Sequence, residues 1–205
     1  MLLLTFFVAV VVNFVGYIPL GNINLTAIQI SINKGLKQVV VFATSFALVE
    51  GVFTYILMRF AEWFATKKDF LAWLEWIMVG IFLLMGTLSY IQSKKKARTM
   101  ADDNKKRDSI KTGILLGIFN PMIIPFWTIG GTYLIAHDWI VTEGLGLEIF
   151  AIGASVGSFA CLYLFGRFAQ YIQNKFSFSH RIINKSIAVM FFVLAILQTA
   201  RLTLF

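Results

Sequence analysis

The chain has 205 residues, 59% hydrophobic and 14% charged, with a mean hydropathy of +0.80 and a net charge of +8. That balance is far more apolar than the core of a soluble domain requires, so it excludes the soluble globular classes and predicts an integral membrane protein. A lone cysteine, Cys161, excludes an intrachain disulfide and a dithiol redox relay.

Apolar windows between polar breaks predict six transmembrane helices in chain order: 2–32, 38–60, 71–92, 112–136, 148–171 and 183–203. Their apolar residues run round all sides, without the two-residue alternation of a membrane barrel strand. The first span carries no charge before Lys34 and lacks a basic leader, so a cleavable signal peptide is not expected. Inside it, the stretch FVGYIPLGNINLTAI (14–28) sets two glycines, a proline and two asparagines among lipid-compatible residues, which a simple anchor would not need.

The loop 94–111 after the third span holds eight Lys or Arg against three Asp, whereas 136–148 holds three acids and neither Lys nor Arg. Positive residues mark the cytoplasmic side. Alternation from there puts both termini outside, fourteen of the eighteen basic residues inside, and Trp63, Trp73, Trp76 and Trp139 near the outer surface. The positive charge thus reads as topogenic and lipid-facing, with no nucleic-acid partner expected.

YILMRFA (55–61) in span two recurs as YLFGRFA (163–169) in span five, 108 residues later. Three spans per half would make the second half cross in the opposite sense, giving two inverted three-helix repeats, 1–93 and 112–205, joined by the basic loop 94–111. The three prolines, Pro19, Pro121 and Pro125, all fall in spans one and four, which are equivalent positions of the halves. Pro19 takes the helical donor from the Val15 carbonyl and Pro121 takes that of Gly117, while Gly16, Gly21, Gly130 and Gly131 ease unusual backbone angles. Both spans are expected to be interrupted there, beside a wet cavity near mid-membrane. The competing explanation is a pair of ordinary proline kinks.

Glu50 is the one carboxylate well inside an apolar span. An ionised carboxylate at the bilayer centre costs roughly 2.5–3.5 kcal/mol, so Glu50 should be protonated, paired or facing water. It is either a proton carrier or a neutral group tying helices together. Asn22, Asn24 and Asn120 lie beside the prolines and offer donors and acceptors for a zwitterion, or for the freed carbonyls. A helix beginning after Gly21 would favour a substrate carboxylate. Thr26, Gln29, Trp127 and Thr128 are candidate cavity neighbours. Small residues every fourth position, Ala43, Ala47 and Gly51, then Gly113 and Gly117, then Gly153 and Gly157, read as helix packing. Cys161 reads as a packed thiol, and Arg59 and Arg167 as snorkelling to headgroups.

Pro19, Gly21, Asn24 and Leu25, then Gly35, then Glu50, with the Asn120–Pro121 pair in span four, resemble the lysine exporter (LysE/RhtB) family of bacterial amino-acid and small-solute exporters. Asn22 stands where that family usually has a second proline, Val49 where it has a glycine, and span six lacks its glycine. The resemblance implies a secondary exporter of amino acids or related metabolites in the bacterial inner membrane, driven by the proton-motive force. The expectation is therefore a non-enzymatic transporter without cofactor or resident metal, with a small molecule and the bilayer as partners, and with monomer and homodimer both open. Two alternatives stay open: a metal-cation exporter of the same superfamily, and a non-transporting assembly partner.

Overall fold

A computed structural model describes residues 1–18, 21–65, 108–120, 122–169, 171 and 180–204, with positions 76, 79–80, 82–84, 86–87, 90–91 and 94 between. Pro19, Pro121, most of the third predicted span and most of the basic loop lie outside these residues. The described residues are helical and contain no strand: α1 Leu2–Gly16, α2 Asn22–Lys34, α3 Leu36–Ala65, α4 Ser109–Ile118, α5 Ile123–Ala136, α6 Gly146–Arg167 and α7 His180–Leu204. Residues Leu36–Trp63 of α3 and α6 are each long and apolar enough to cross a membrane, and α4 with α5, bent by 59°, qualifies as one broken span. Helix α1 and Phe191–Ala200 are shorter apolar helices.

The chain forms two compact units, Met1–Ala65 with Met100–Lys175, and Thr66–Thr99 with Phe176–Phe205. In the first unit α1 packs against α6, α4 and α5 pack against α3, α3 packs against α6, and α2 touches both α3 and α6. Each sequence half thus lays its broken helix on the long helix of the other half. The second unit is held by Phe82 and Phe191, whose ring centres lie 6.1 Å apart, and by Gly86 against the Phe192 ring.

Large apolar side chains face outward in rows four residues apart: Leu3, Phe7, Val11 and Val15 on α1, and Leu48, Val52, Ile56 and Phe60 on α3. Buried polar residues, including Asn13, Asn24, Glu50, Thr54 and Asn120, sit inside. Apolar rows outside and polar groups inside suit hydrocarbon and would be costly in water. The protein is a membrane protein.

The small residues pack as read. A β-carbon on Gly113 would lie 2.6 Å from Phe42 O of α3, and one on Gly157 would lie 2.5 Å from Val10 O of α1, so only glycine lets these backbones approach. Gly35, at φ +83°, uses the left-handed region open to glycine and turns the chain from α2 into α3.

The break residues behave partly otherwise. Among described residues the positive-φ glycines are Gly35 and Gly144, so Gly16, Gly21, Gly130 and Gly131 do not supply unusual angles. Gly16 instead makes room for Phe126, and Gly131 for Met58. Pro125 does not break a helix: it lies in the first turn of α5, where a missing N–H costs little.

Candidate functional site

Helix α1 buries Thr5, Ala9 and Asn13, one every fourth residue, and Tyr17 follows one turn later as its C-cap. That face meets α3 and α6. Asn13, 1% exposed, donates from Nδ2 to Glu50 Oε1 (3.0 Å) on α3 and to Ala154 O (2.6 Å) on α6. Two acceptors around one amide nitrogen fix its orientation, because the flipped amide would set oxygen against oxygen. The approach is close because Gly51, next to Glu50, faces Ser155 and Ala151 O with no side chain of its own.

Glu50 is 1% exposed and is the one charged residue among the buried described residues. Beside it lie the hydroxyls of Tyr17 and Ser158. Ser158 donates to Ser155 O at 3.1 Å, and no donor reaches Glu50 Oε2 at hydrogen-bonding geometry.

Tyr17 joins the two helix breaks. Its carbonyl accepts from Asn24 Nδ2 (2.6 Å) across the α1–α2 break, and its hydroxyl accepts from Asn120 Nδ2 (2.8 Å) in the α4–α5 break. The ring stands edge-on to Phe46, with centres 5.7 Å apart and planes at 86°. Asn120 Oδ1 accepts from Met122 N (3.2 Å), a local turn bond at the point where the chain changes direction. The Val15 carbonyl, deprived by Pro19, accepts instead from Ile18 N (3.1 Å), so no asparagine is needed for it.

A family sequence profile, that of the LysE type translocators, matches residues 14–200. The chain belongs to that family. Comparisons with curated proteins and with solved structures found no match. LysE type translocators move small solutes across membranes and are not enzymes. In this translocator the matched region takes in Tyr17, Glu50 and Asn120, and Asn13 lies one residue before it.

Of the residues the sequence singles out, the structure brings Glu50, Asn24 and Asn120 into one polar cluster through Asn13 and Tyr17. Asn22 faces outward, and the Thr26 hydroxyl bonds Asn22 O (2.7 Å) within its own helix. Gly21 is the extended N-cap of α2. Trp127 is fully buried in an apolar cluster with Ala9, Met58, Phe150 and Ala154, its ring 5.0 Å from that of Phe150, and its Nε1 donor has no partner. The carbonyl of Thr128 serves Thr132 Oγ1 (2.6 Å), and Gln29 on α2 is half-buried.

Sequence reasoning missed Asn13, Tyr17, Thr54 and Ser158. The available signal was spacing: Thr5, Ala9, Asn13 and Tyr17 form a four-residue row of small or polar side chains through an otherwise apolar helix. Among the described residues the buried acceptors or donors that stay unpaired include, besides Glu50 Oε2, Asn13 Oδ1, Thr54 Oγ1 and Trp127 Nε1.

Proposed function

We propose that this LysE type translocator exports an amino acid or a related zwitterion across the bacterial inner membrane in exchange for a proton, with Glu50 as the exchanging group. The observation that carries the reading is a fully buried carboxylate held by Asn13 at the junction of three helices and beside both helix breaks. A buried polar group without a partner is costly, so an unfilled set calls for a ligand or water. Glu50 Oε2, Asn13 Oδ1 and Thr54 Oγ1 are unfilled acceptors, the last one helical turn from Glu50 on α3. A primary ammonium has three donors and no acceptor and complements them. The carboxylate end suits the unpaired Trp127 Nε1, or the N–H groups at the start of α2, whose N-cap Gly21 supplies no side-chain acceptor.

The chain is read as six spans in two inverted halves, with both ends outside and the loop 94–111 in the cytoplasm. Two features support the inverted halves. The broken helix of each half packs on the long helix of the other. In the repeated heptapeptide, Ala61 and Ala169 are both buried while Arg59, Phe60, Arg167 and Phe168 are all exposed.

Efflux from loaded vesicles tests the reading. With a panel of free amino acids and their N-acetyl derivatives, at least one free amine should leave, faster when protons are driven inward, and its acetylated form should not. Glu50→Gln should abolish the response to the gradient. An unchanged response removes Glu50 as the proton carrier, and no flux of any solute by the parent protein removes translocation of this class.

A further inference from the structure

Tyr17 lies in the α1–α2 break, where its main-chain carbonyl takes the Asn24 amide, and its hydroxyl reaches Asn120 in the α4–α5 break and sits beside the buried acid. Its hydroxyl already accepts the proton of Asn120 Nδ2. Its own proton therefore needs an acceptor, and Glu50 Oε2 is the unfilled acceptor beside it. We propose that Tyr17 is a positioning residue that passes the protonation state of Glu50 to both helix breaks, clamping them when the carboxylate is ionised and loosening them when it is protonated.

The chain of contacts gives the direction. An ionised Glu50 accepts from the Tyr17 hydroxyl in a charge-assisted bond, which polarises that oxygen and strengthens its bond from Asn120. Tyr17 is then held by Asn120 on one side and by Asn24, through its carbonyl, on the other, so the start of α2 and the end of α4 are tied through one residue. A protonated Glu50 still holds Asn13 at Oε1 but offers Tyr17 only a neutral acceptor or a competing donor. The link weakens, and both breaks loosen together. The titratable groups facing Glu50 are Tyr17 from the α1–α2 break and Cys161 from α6, and no other described buried residue carries a charge.

The inference deepens the translocator reading of the same site, and its test needs no solute. Amide hydrogen exchange of the full-length protein in nanodiscs is followed on the acid and alkaline sides of neutrality, with labelling times scaled to the intrinsic chemical rate. Segments 17–24 and 118–123 should exchange about five- to tenfold faster on the acid side, the factor separating a neutral from a charge-assisted bond. Tyr17→Phe keeps the ring on Phe46 and should exchange at one fast rate under both conditions. Asn120→Ala cuts the link to the other break and leaves Tyr17 beside Glu50, so it should erase the difference in 118–123 and keep it in 17–24, and the test survives if either variant fails to fold. A merely structural tyrosine would raise both rates and leave their ratio intact. That result, or a parent protein without the acid–alkaline difference, overturns the proposal. A parent that shows the difference yet moves no solute in vesicles overturns translocation and leaves the clamp standing.

Discussion

Replacing Asn13 by leucine isolates the bond network at its smallest point. The substitution keeps the branched shape of the side chain and removes the donor from two buried acceptors, Glu50 Oε1 at 3.0 Å and Ala154 O at 2.6 Å. Interhelical hydrogen bonds in membranes are worth about 0.6 kcal/mol on average and about 1.7 kcal/mol at most, so losing both should cost about 1 to 3 kcal/mol. The assay is reversible unfolding in bicelles for Asn13→Leu, Glu50→Leu and the pair. Because only one of the two bonds goes to Glu50, the cycle should return a coupling of about 0.6–1.7 kcal/mol, and the rest of the Asn13→Leu cost should persist without Glu50. A cost below about 0.3 kcal/mol, within the additivity error, or a coupling of zero, would refute the claim that Asn13 ties α1 to both α3 and α6.

The glycines give a contrasting pair. Gly157→Val thrusts a side chain onto Val10 O and should destabilise by about 1–3 kcal/mol or more, whereas Gly130→Ala enters open space inside α5 and should stabilise by about 0.5–1 kcal/mol, as thermal unfolding will report. Equal effects at the two sites would contradict the close approach of α6 to α1. Pro125→Ala, in the first turn of α5, should shift stability by less than about 1 kcal/mol and leave efflux intact; a large loss would mean that the proline shapes the break after all.

The helical class was legible because whole windows are apolar on every side, and the long helices α3 and α6 fall almost where hydropathy put them. Helix ends fall on either side of the positions of Pro19 and Pro121, since α1 ends at Gly16 with α2 starting at Asn22, and α4 ends at Ile118 with α5 starting at Ile123. The division of labour around them was not legible. Gly16 and Gly131 looked like conformational devices, but contact with Phe126 and Met58, which only the folded chain brings near, is what demands their small size, while Gly21 and Gly130 meet open space. Asn22 and Asn24 are two residues apart and look equivalent on paper, yet on a helix they face different ways, and only Asn24 turns inward. Glu50 was conspicuous because a charge in hydrocarbon is rare. Its partner Asn13 was not, because one amide in an apolar run is cheap enough to pass for a tolerated residue until its acceptors, 37 and 141 positions away, are known.

The exchange of helices between the halves bears on how the protein is made. Helix α1 is synthesised well before its chief partner, α6, and finds it only after more than a hundred further residues have left the ribosome. Until then Asn13 waits in the bilayer without the Ala154 carbonyl it will bind. Assembly is therefore dominated by distant pairings, which fold slowly. A nascent chain stalled before α6 presents an unmet amide to the quality-control machinery, and two separately expressed halves should rescue one another where neither survives alone.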